Sequence, residues 1–391
     1  MQIVKIVHFL HGRVNPNGTN GGDRVIYNLA KRISESDTEV FILGLSDKPP
    51  LPVGRSIVRS YTPPGDSFRL PTTLTTTLRE IDPDVVHFHG VYTPRNAILA
   101  RWLRREGIPY AISPHGGLME GVLARDWIRK KAYLEILGRG FCRNASFIHC
   151  VSDGEAQAVR DFVDEVPTVV APHGIEGVDL ASLDTFALRS ARETLGNKRI
   201  FGFLGRLDPL NKGLDLVVEA CARIRQALKN AVVVLAGPDW MHRTAPLRKR
   251  VEELGLQNTV LFHGAIPTGP DMTKEKFNFL ASCDVFIHPS RWEAGSPFSV
   301  LDALEVANPC LVTEGTFFGE FFRRHSVGKQ VPPTNEGVAD GLLSLAQASA
   351  EELNEMGAEG RRAVLNEFSW DRTARQLVDA YASMCRRVQC V

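Results

Sequence analysis

Two charged pairs are placed where they could do chemistry. In "FLGRLDPLNKGLDLVVEA", residues 203–220, Arg206 and Lys212 bracket a polar loop. An apolar run ends just before it at Gly205, and an amphipathic stretch begins near Gly213. In "CDVFIHPSRWEAGSPFSVLDALEVANP", residues 283–309, Glu293 and Asp302 lie on either side of a Gly-Ser-Pro turn. Each segment reads strand, tight turn, helix. Such turns aim backbone N–H groups at a ligand, and a helix N-terminus favours an anion. Arg offers a planar fork and Lys a compact charge, so the first loop suits a diphosphate. A basic pair is usually two solvated surface cations; its place on a strand-to-helix turn sets this one apart. The carboxylates can accept hydrogen bonds from hydroxyls. Together the segments fit a diphosphate with hydroxyl-rich groups at both ends, which describes a sugar nucleotide.

Such loops need strands behind them. "IVKIVHFL", "EVFILGL", "DVVHFHG", "YAISPHG" and "SFIHCVS" read as strands in the first half of the chain. "RIFGFLG", "AVVVLAG", "TVLFHGA", "DVFIHPS" and "PCLVTEG" do so in the second. The stretches between them suit helices, for example Gly22–Ile33 and Leu214–Leu228. This alternation predicts parallel sheets covered on both faces. A chain of 391 residues is too long for one hydrophobic core. A Gly-rich, polar break spans about Pro172 to Asn197. Two doubly wound α/β domains are therefore expected, residues 1–185 and 186–368, with a closing helix over 369–391.

His-Gly occurs five times, at His11-Gly12, His89-Gly90, His115-Gly116, His173-Gly174 and His263-Gly264. At least four of these fall at the carboxyl end of an expected strand, the edge where open α/β sheets bind ligands. Turn chemistry explains any single pair, because glycine lets the chain turn sharply. His87 and His89 would begin a zinc site, but spacing picks out no third ligand.

Composition narrows the class. A hydrophobic content of 43% suits a globular chain, and a net charge of +1 gives no bulk attraction to nucleic acid or membrane. The seven cysteines are scattered without a CxxC pair, which fits a reducing compartment. The N-terminal "MQIVKIVHFLHG" reads as a first strand, since Lys5 and His8 interrupt its apolar run. No apolar run reaches membrane-spanning length, and a cytoplasmic protein is expected. "LARDWIRKKAYLEILGRGFCRNAS", residues 123–146, is locally basic. There Arg125, Arg129, Lys130, Lys131, Arg139 and Arg143 accompany Trp127, Tyr133 and Leu134. It reads as a solvated helix packing its apolar side inward, or as one lying on anionic lipid at the inner face of a membrane.

Five motifs in order resemble the large glycogen-synthase-like family of retaining glycosyltransferases. They are "NGGDRVIYNLAKRI", "DVVHFHG" with "SPHGGLM", "GRLDPLNKGLD", "ASCDVFIHPSRWEAGSPFSVLDAL" and "FSWDRTARQLVDAYASM". The resemblance covers nearly the whole chain. It implies the GT-B fold, two Rossmann-like domains facing each other across a cleft. The first would bind the acceptor and the second the nucleotide sugar, with the last helix crossing back to the first. The implied reaction moves a sugar from a nucleoside-diphosphate sugar to a hydroxyl of a carbohydrate, lipid-linked or other acceptor. It would serve glycan, glycolipid or polysaccharide synthesis and retain the anomeric configuration. No metal, no other cofactor and no nucleic acid is expected. By the same resemblance Arg206 and Lys212 hold the diphosphate, and Gly21, Gly22 and Gly205 let backbone approach the donor. Asp302 would bind the ribose. Glu293, with the backbone of Gly295, Ser296, Pro297 and Phe298, would bind the donor sugar, and His115 would lie beside it.

The spacing departs from the family in one respect. The second acid is usually Glu, eight positions after the first; here Asp302 stands nine after Glu293. Either the turn holds one extra residue, or Ala294 occupies the first acid's place. Glu305, three residues past Asp302, reads as ordinary helix surface. The alternative function is a sugar-nucleotide epimerase-like enzyme or a catalytically weak sugar-nucleotide-binding subunit, and the altered spacing supports the latter.

Overall fold

The computed structural model of the chain describes residues 4–15, 21–119, 127–184, 198–267, 273–293, 295, 297–316 and 318–388. Its contacts divide the chain into two units, Met1–Gly174 with Ser369–Val391, and Ile175–Phe368. The expected boundary at 185/186 lies outside the described residues, and the first crossing comes earlier. Gly174 packs so closely on Trp370 that a Cβ would collide with that residue's backbone. Ile175 instead donates its N–H to the Phe368 carbonyl (3.2 Å) and joins the second unit's core.

The first unit contains strands β1 (Val4–His11), β2 (Thr38–Leu45), β3 (Ile57–Tyr61), β4 (Val85–His89), β5 (Tyr110–Ser113), β6 (Phe147–Cys150) and β7 (Thr168–Val170). They form one parallel sheet in the order β3-β2-β1-β4-β5-β6-β7. The second unit contains β8 (Arg199–Leu204), β9 (Ala231–Ala236), β10 (Val260–Gly264), β11 (Val285–His288), β12 (Cys310–Thr313) and β13 (Gly328–Val331). Its parallel order is β10-β9-β8-β11-β12-β13. All ten expected runs are strands. The three not foreseen, β3, β7 and β13, are edge strands with no fully buried residue. An edge strand has one unpaired side and needs no continuous apolar run. Each sheet reverses its order once, between β1 and β4 and between β8 and β11. Loops leave such a reversal in opposite directions and open a crevice at the strands' carboxyl ends.

The helices cover these sheets with apolar stripes. Helix Gly21–Ser34 buries Val25, Ile26, Leu29, Ala30 and Ile33, with Asp23 in its first turn and Lys31 and Arg32 in its last. That charge order suits the helix dipole. The closing helix Trp370–Val388 belongs to the first unit and buries Trp370, Ala374, Leu377, Tyr381 and Met384 at helical spacing.

Tyr381 anchors a polar chain through the first sheet. Its hydroxyl bonds His87 Nδ1. His87 Nε2 lies 2.8 Å from Ser113 Oγ, which lies 2.7 Å from His149 Nδ1. His149 Nε2 lies 2.8 Å from the Ala171 carbonyl. A carbonyl only accepts, so His149 donates from Nε2 and accepts at Nδ1 from Ser113. Ser113 then accepts from His87 Nε2–H, and His87 Nδ1 accepts from the Tyr381 hydroxyl. Every hydrogen in the chain is thus assigned from its last acceptor.

Replacing Tyr381 by Phe leaves His87 Nδ1 buried without its donor, at a cost of about 1–3 kcal/mol. Calorimetry should show Tm lowered by several degrees, and an unchanged Tm would mean the hydroxyl is idle. Acid should also loosen this unit. Burial lowers His8 and His149 from 6.5 to about 4 and His87 well below its ordinary value. Groups depressed in the fold lend stability that is full above their unfolded value and lost as pH falls through the folded one. Tm measured from pH 6.5 down to 4 should therefore fall, and a flat profile over that window contradicts the assignment.

Candidate active site

The second unit gathers both charged segments at its sheet reversal. β8 and β11 pair with Val285 against Phe201 and Phe286 against Gly202, so the loops leaving them sit side by side. The first loop runs from Gly205 through the short helix Pro209–Lys212 to Gly213, which has φ 64°. A Cβ at Gly213 would collide with the Pro289 carbonyl oxygen of the second loop, so only glycine permits the approach. Arg291 ties the two loops. Its N–H donates to Asn211 (3.0 Å), and its guanidinium donates to the Leu210 carbonyl (2.7 Å) and to both Asp215 oxygens (2.8 and 2.7 Å).

Lys212 and Glu293 meet across this junction. The ammonium donates to Glu293 Oε1, which also accepts from Ser290 Oγ (2.7 Å) and His288 Nε2 (2.9 Å). The two side chains are only 12% and 16% exposed. Among the described residues all three partners take Oε1. Burial pushes the Glu293 carboxyl up, but the Lys212 ammonium and the His288 bond outweigh it and hold the acid well below the usual carboxylate range. Burial draws His288 down, against the upward pull of Glu293. The Glu293 N–H is fixed as well, donating to the Gly315 carbonyl at 2.8 Å. Glu293 is therefore the acid beside the lysine, while Ala294 lies outside the described residues.

Arg206 stands exposed on the same loop, with its guanidinium 4.3 Å from the centre of the Trp240 ring. Arg243 adds a cation nearby in the fold, 3.2 Å from the buried Asp208 that precedes the short helix. Gly205 follows β8, Gly295 is buried, Pro297 precedes helix Phe298–Glu305, and Phe298 opens it. Ser296 lies outside the described residues. Asp302 is 2% exposed, and its Oδ2 accepts from Lys276 at 2.8 Å. Glu305 is not helix surface: it is fully buried, and Oε1 accepts the Val178 N–H. The helix is enclosed, with Val300 through Glu305 all buried, so no position in that turn faces water. His288, Ser290, Arg291, Asp215 and Lys276 were not singled out from sequence. Their signal is tertiary, apart from the nearness of His288 and Ser290 to Glu293 along the chain.

In the first unit Gly21 and Gly22 form the first turn of helix Gly21–Ser34. His115 follows β5 in the left-handed region, φ 51°, a conformation uncommon for a residue with a side chain. The next N–H, from Gly116, donates to Glu155, whose other oxygen accepts from Val151 N–H (2.8 Å). Burial raises the Glu155 carboxyl to about 7, against those two N–H bonds. The His115 ring stacks on His89, centroids 5.3 Å apart, and burial lowers its pKa to about 3.

His8, His87 and His89 do form a buried trio, with ligand atoms within 4.8 Å of one another. Two nitrogens on one zinc ion lie at most about 4.2 Å apart, twice the bond length. Both nitrogens of His87 and of His89 already have hydrogen-bond partners, and the rings of those two stack at 4.8 Å. The trio is a hydrogen-bonded stack. The basic stretch packs Tyr133, Leu134 and Phe141 on the core, yet leaves Ile128 and Ile136 66% and 74% exposed. Arg125 lies outside the described residues, as does the side chain of Trp127. Among the described residues no helix is long and apolar enough to cross a membrane.

Comparisons with known proteins bear on the family and the fold. Residues 19–176 match the model of glycosyltransferase family 4, and residues 184–363 that of glycosyl transferases group 1. The D-inositol 3-phosphate glycosyltransferase of Corynebacterium urealyticum is 24% identical over 77% of this chain and 72% of its own. The UDP-Gal:alpha-D-GlcNAc-diphosphoundecaprenol alpha-1,3-galactosyltransferase of Escherichia coli is 27% identical over 59% of this chain and 57% of its own. The chain spans 50% of the D-inositol 3-phosphate glycosyltransferase of Jonesia denitrificans, at 27% identity over 54% of its own length. In fold it is similar to a sucrose-phosphate synthase from Thermosynechococcus elongatus, with a TM-score of 0.77, 17% identity and coverage of 98% and 100% of the two chains. It is also similar to HepE of Anabaena in complex with UDP, with a TM-score of 0.75, 16% identity and coverage of 96% and 99%. With one matched family model for each parallel-sheet half, the chain belongs to the glycosyltransferases, and its likeness to the solved structures shows the GT-B fold.

Proposed function

We propose that this chain is a retaining glycosyltransferase that moves a sugar from a nucleoside-diphosphate sugar to an acceptor hydroxyl. The observation that carries the reading is the meeting of Lys212 with Glu293 at the β8/β11 reversal, with Arg206 on the same loop. An anion arriving there finds two cations and the N-terminal turn of helix Phe298–Glu305. Arg206 and Lys212 hold the diphosphate and stabilise it as it leaves. Gly205, Gly21 and Gly22 let backbone approach it. Glu293 keeps Oε1 on Lys212 and offers Oε2 to a hydroxyl of the transferred sugar, beside the backbone of Gly295 to Phe298. Asp302, with Lys276, serves the ribose, and His115 serves the sugar. No protein nucleophile is needed. The departing phosphate takes the proton of the acceptor hydroxyl on the same face of the sugar as the new bond forms, which retains configuration. The catalytic effect is then placement and electrostatics, and the two side-chain cations take the part a divalent metal would play.

The acceptor is proposed to be a carbohydrate or lipid-linked hydroxyl at the inner face of a membrane, within glycan, glycolipid or polysaccharide synthesis. Exposed Ile128 and Ile136 within a basic stretch suit an anionic lipid surface. The similar Escherichia coli enzyme is named for a diphosphoundecaprenol substrate. The binding-subunit alternative rested on the acid spacing, and Glu293 sits on Lys212 despite that spacing.

Arg206→Ala and Lys212→Ala should each lower turnover roughly a hundred-fold or more, the usual scale for losing one electrostatic donor in a transition state; Arg206→Ala should leave Tm unchanged, while Lys212→Ala should also lower it by stranding Glu293. Near-normal turnover in both would make the loop mere surface. A thermal-shift screen of uridine, guanosine and adenosine diphosphate sugars identifies the donor, since only a ligand of the folded state raises Tm. With that donor, NMR of the product should show the donor's anomeric configuration, in the presence of a chelator as well as without it. An inverted product rejects the mechanism.

A further inference from the structure

At the β1/β4 reversal three imidazoles form a line. His8 Nδ1 lies 3.0 Å from His89 Nε2, and His89 Nδ1 lies 3.0 Å from His115 Nε2. His8 and His89 are buried, at 0% and 8% exposure, and stack with centroids 5.2 Å apart. Burial keeps all three neutral, lowering each below its ordinary value. A neutral imidazole has one N–H and one lone pair. Each contact needs one of each, so the line can run in only two directions.

The direction is decided at its buried end. His8 Nε2 is enclosed and has no partner among the described residues. If the line runs toward His8, that nitrogen carries a hydrogen with no acceptor. If it runs away from His8, the nitrogen holds only a lone pair. A buried N–H without an acceptor is among the rarest and costliest features of native proteins, and an idle acceptor is better tolerated. His8 therefore donates from Nδ1 to His89 Nε2, and His89 donates from Nδ1 to His115 Nε2.

We propose that His8 and His89 are positioning residues which fix His115 as its Nδ1–H tautomer, so that the ring presents a hydrogen-bond donor to an oxygen of the bound substrate. The turn supports this, because His115 has a left-handed backbone and the following N–H is tied to the buried Glu155. The ring is thus held from below by His89 and along the chain by Glu155. Among the described residues no partner takes His115 Nδ1, so its hydrogen is available to a ligand. The usual solution preference of histidine, hydrogen on Nε2, is reversed here by a residue two rings away. This rests on the reading of His115 as a contact to the transferred sugar.

Two-bond 1H–15N NMR of the full chain labelled with 15N-histidine tests the tautomer without any substrate. At pH 7 His8, His89 and His115 should each show a protonated Nδ1 and a bare Nε2, with His115 assigned from its loss in His115→Gln. A protonated Nε2 at His115 overturns the proposal. The functional arm compares two amides in transfer assays with the donor found by thermal shift. His115→Asn puts its amide near the Nδ1 position, and His115→Gln puts it near Nε2. His115→Asn should keep at least about ten-fold more kcat, and an equal loss overturns the donor role. His89→Phe keeps the stacked ring and removes the relay; kcat should fall while the donor KM holds, with His115 signals averaging between tautomers. An unchanged His115 tautomer in that variant overturns the relay. If the parent chain transfers no sugar from any donor, the proposed function falls, and the spectra still decide whether the relay exists.

Discussion

The candidate site of the second unit depends on one ion pair. Lys212 and Glu293 are separated by 81 residues and join only because the sheet order places β8 beside β11. Removing one partner of a buried pair strands the other charge, typically at several kcal/mol. The pair therefore couples the shapes of the two loops, and Arg291 with Asp215 adds a second tie between them. A site assembled before its ligand arrives spares the cost of ordering it then. In the proposed reaction the same pair restrains binding, because a phosphate would share the lysine with Glu293. An ammonium has three N–H donors and can do so without releasing the acid.

The first unit is organised by polar satisfaction as much as by apolar burial. Five histidines, Ser113 and Tyr381 occupy the region where β1, β4, β5 and β6 neighbour one another. Buried rings of this kind are costly when unpaired and rigid when paired. The line from Tyr381 ends on the Ala171 carbonyl, and the line from His8 ends at His115. One docks the closing helix, and the other arrives at a strand-end turn. Both begin from the register of parallel strands, which sets His8 opposite His87.

How much of this was legible in the sequence varied with its physical origin. The central strands announced themselves as apolar runs because they are buried on both faces, as at β4, β9, β11 and β12. The edge strands β3, β7 and β13 did not, because each is only partly buried. Arg206, Lys212, Glu293 and Asp302 could be picked out, since a strand-to-helix turn is a local pattern. Their partners could not: Lys276 reaches Asp302 from another helix, and Asp215 reaches Arg291 across 76 residues. Helical periodicity supposes one wet face and puts Glu305 on it, but helix Phe298–Glu305 has none along its latter half. The five His-Gly pairs marked strand ends correctly in several places, but nothing in their spacing showed that His8, which is in none of them, would join the line.

The odd acid spacing can be placed by asking what is free to yield. Glu293 is held by its backbone bond to Gly315 and by three side chains. Asp302 is held by a helix that begins at Phe298 and by Lys276. Both acids are anchored, so the difference in spacing lies between two fixed points and not in the placing of either one. Glu293 stays in the loop after β11 and Asp302 on the helix. What changes is the reach of the second acid. Asp has one methylene fewer than Glu, and this Asp is buried with its charge on Lys276, which is itself 19% exposed. The polar group at this position is therefore a carboxylate–ammonium pair carrying both donors and acceptors, where a lone glutamate carries acceptors only.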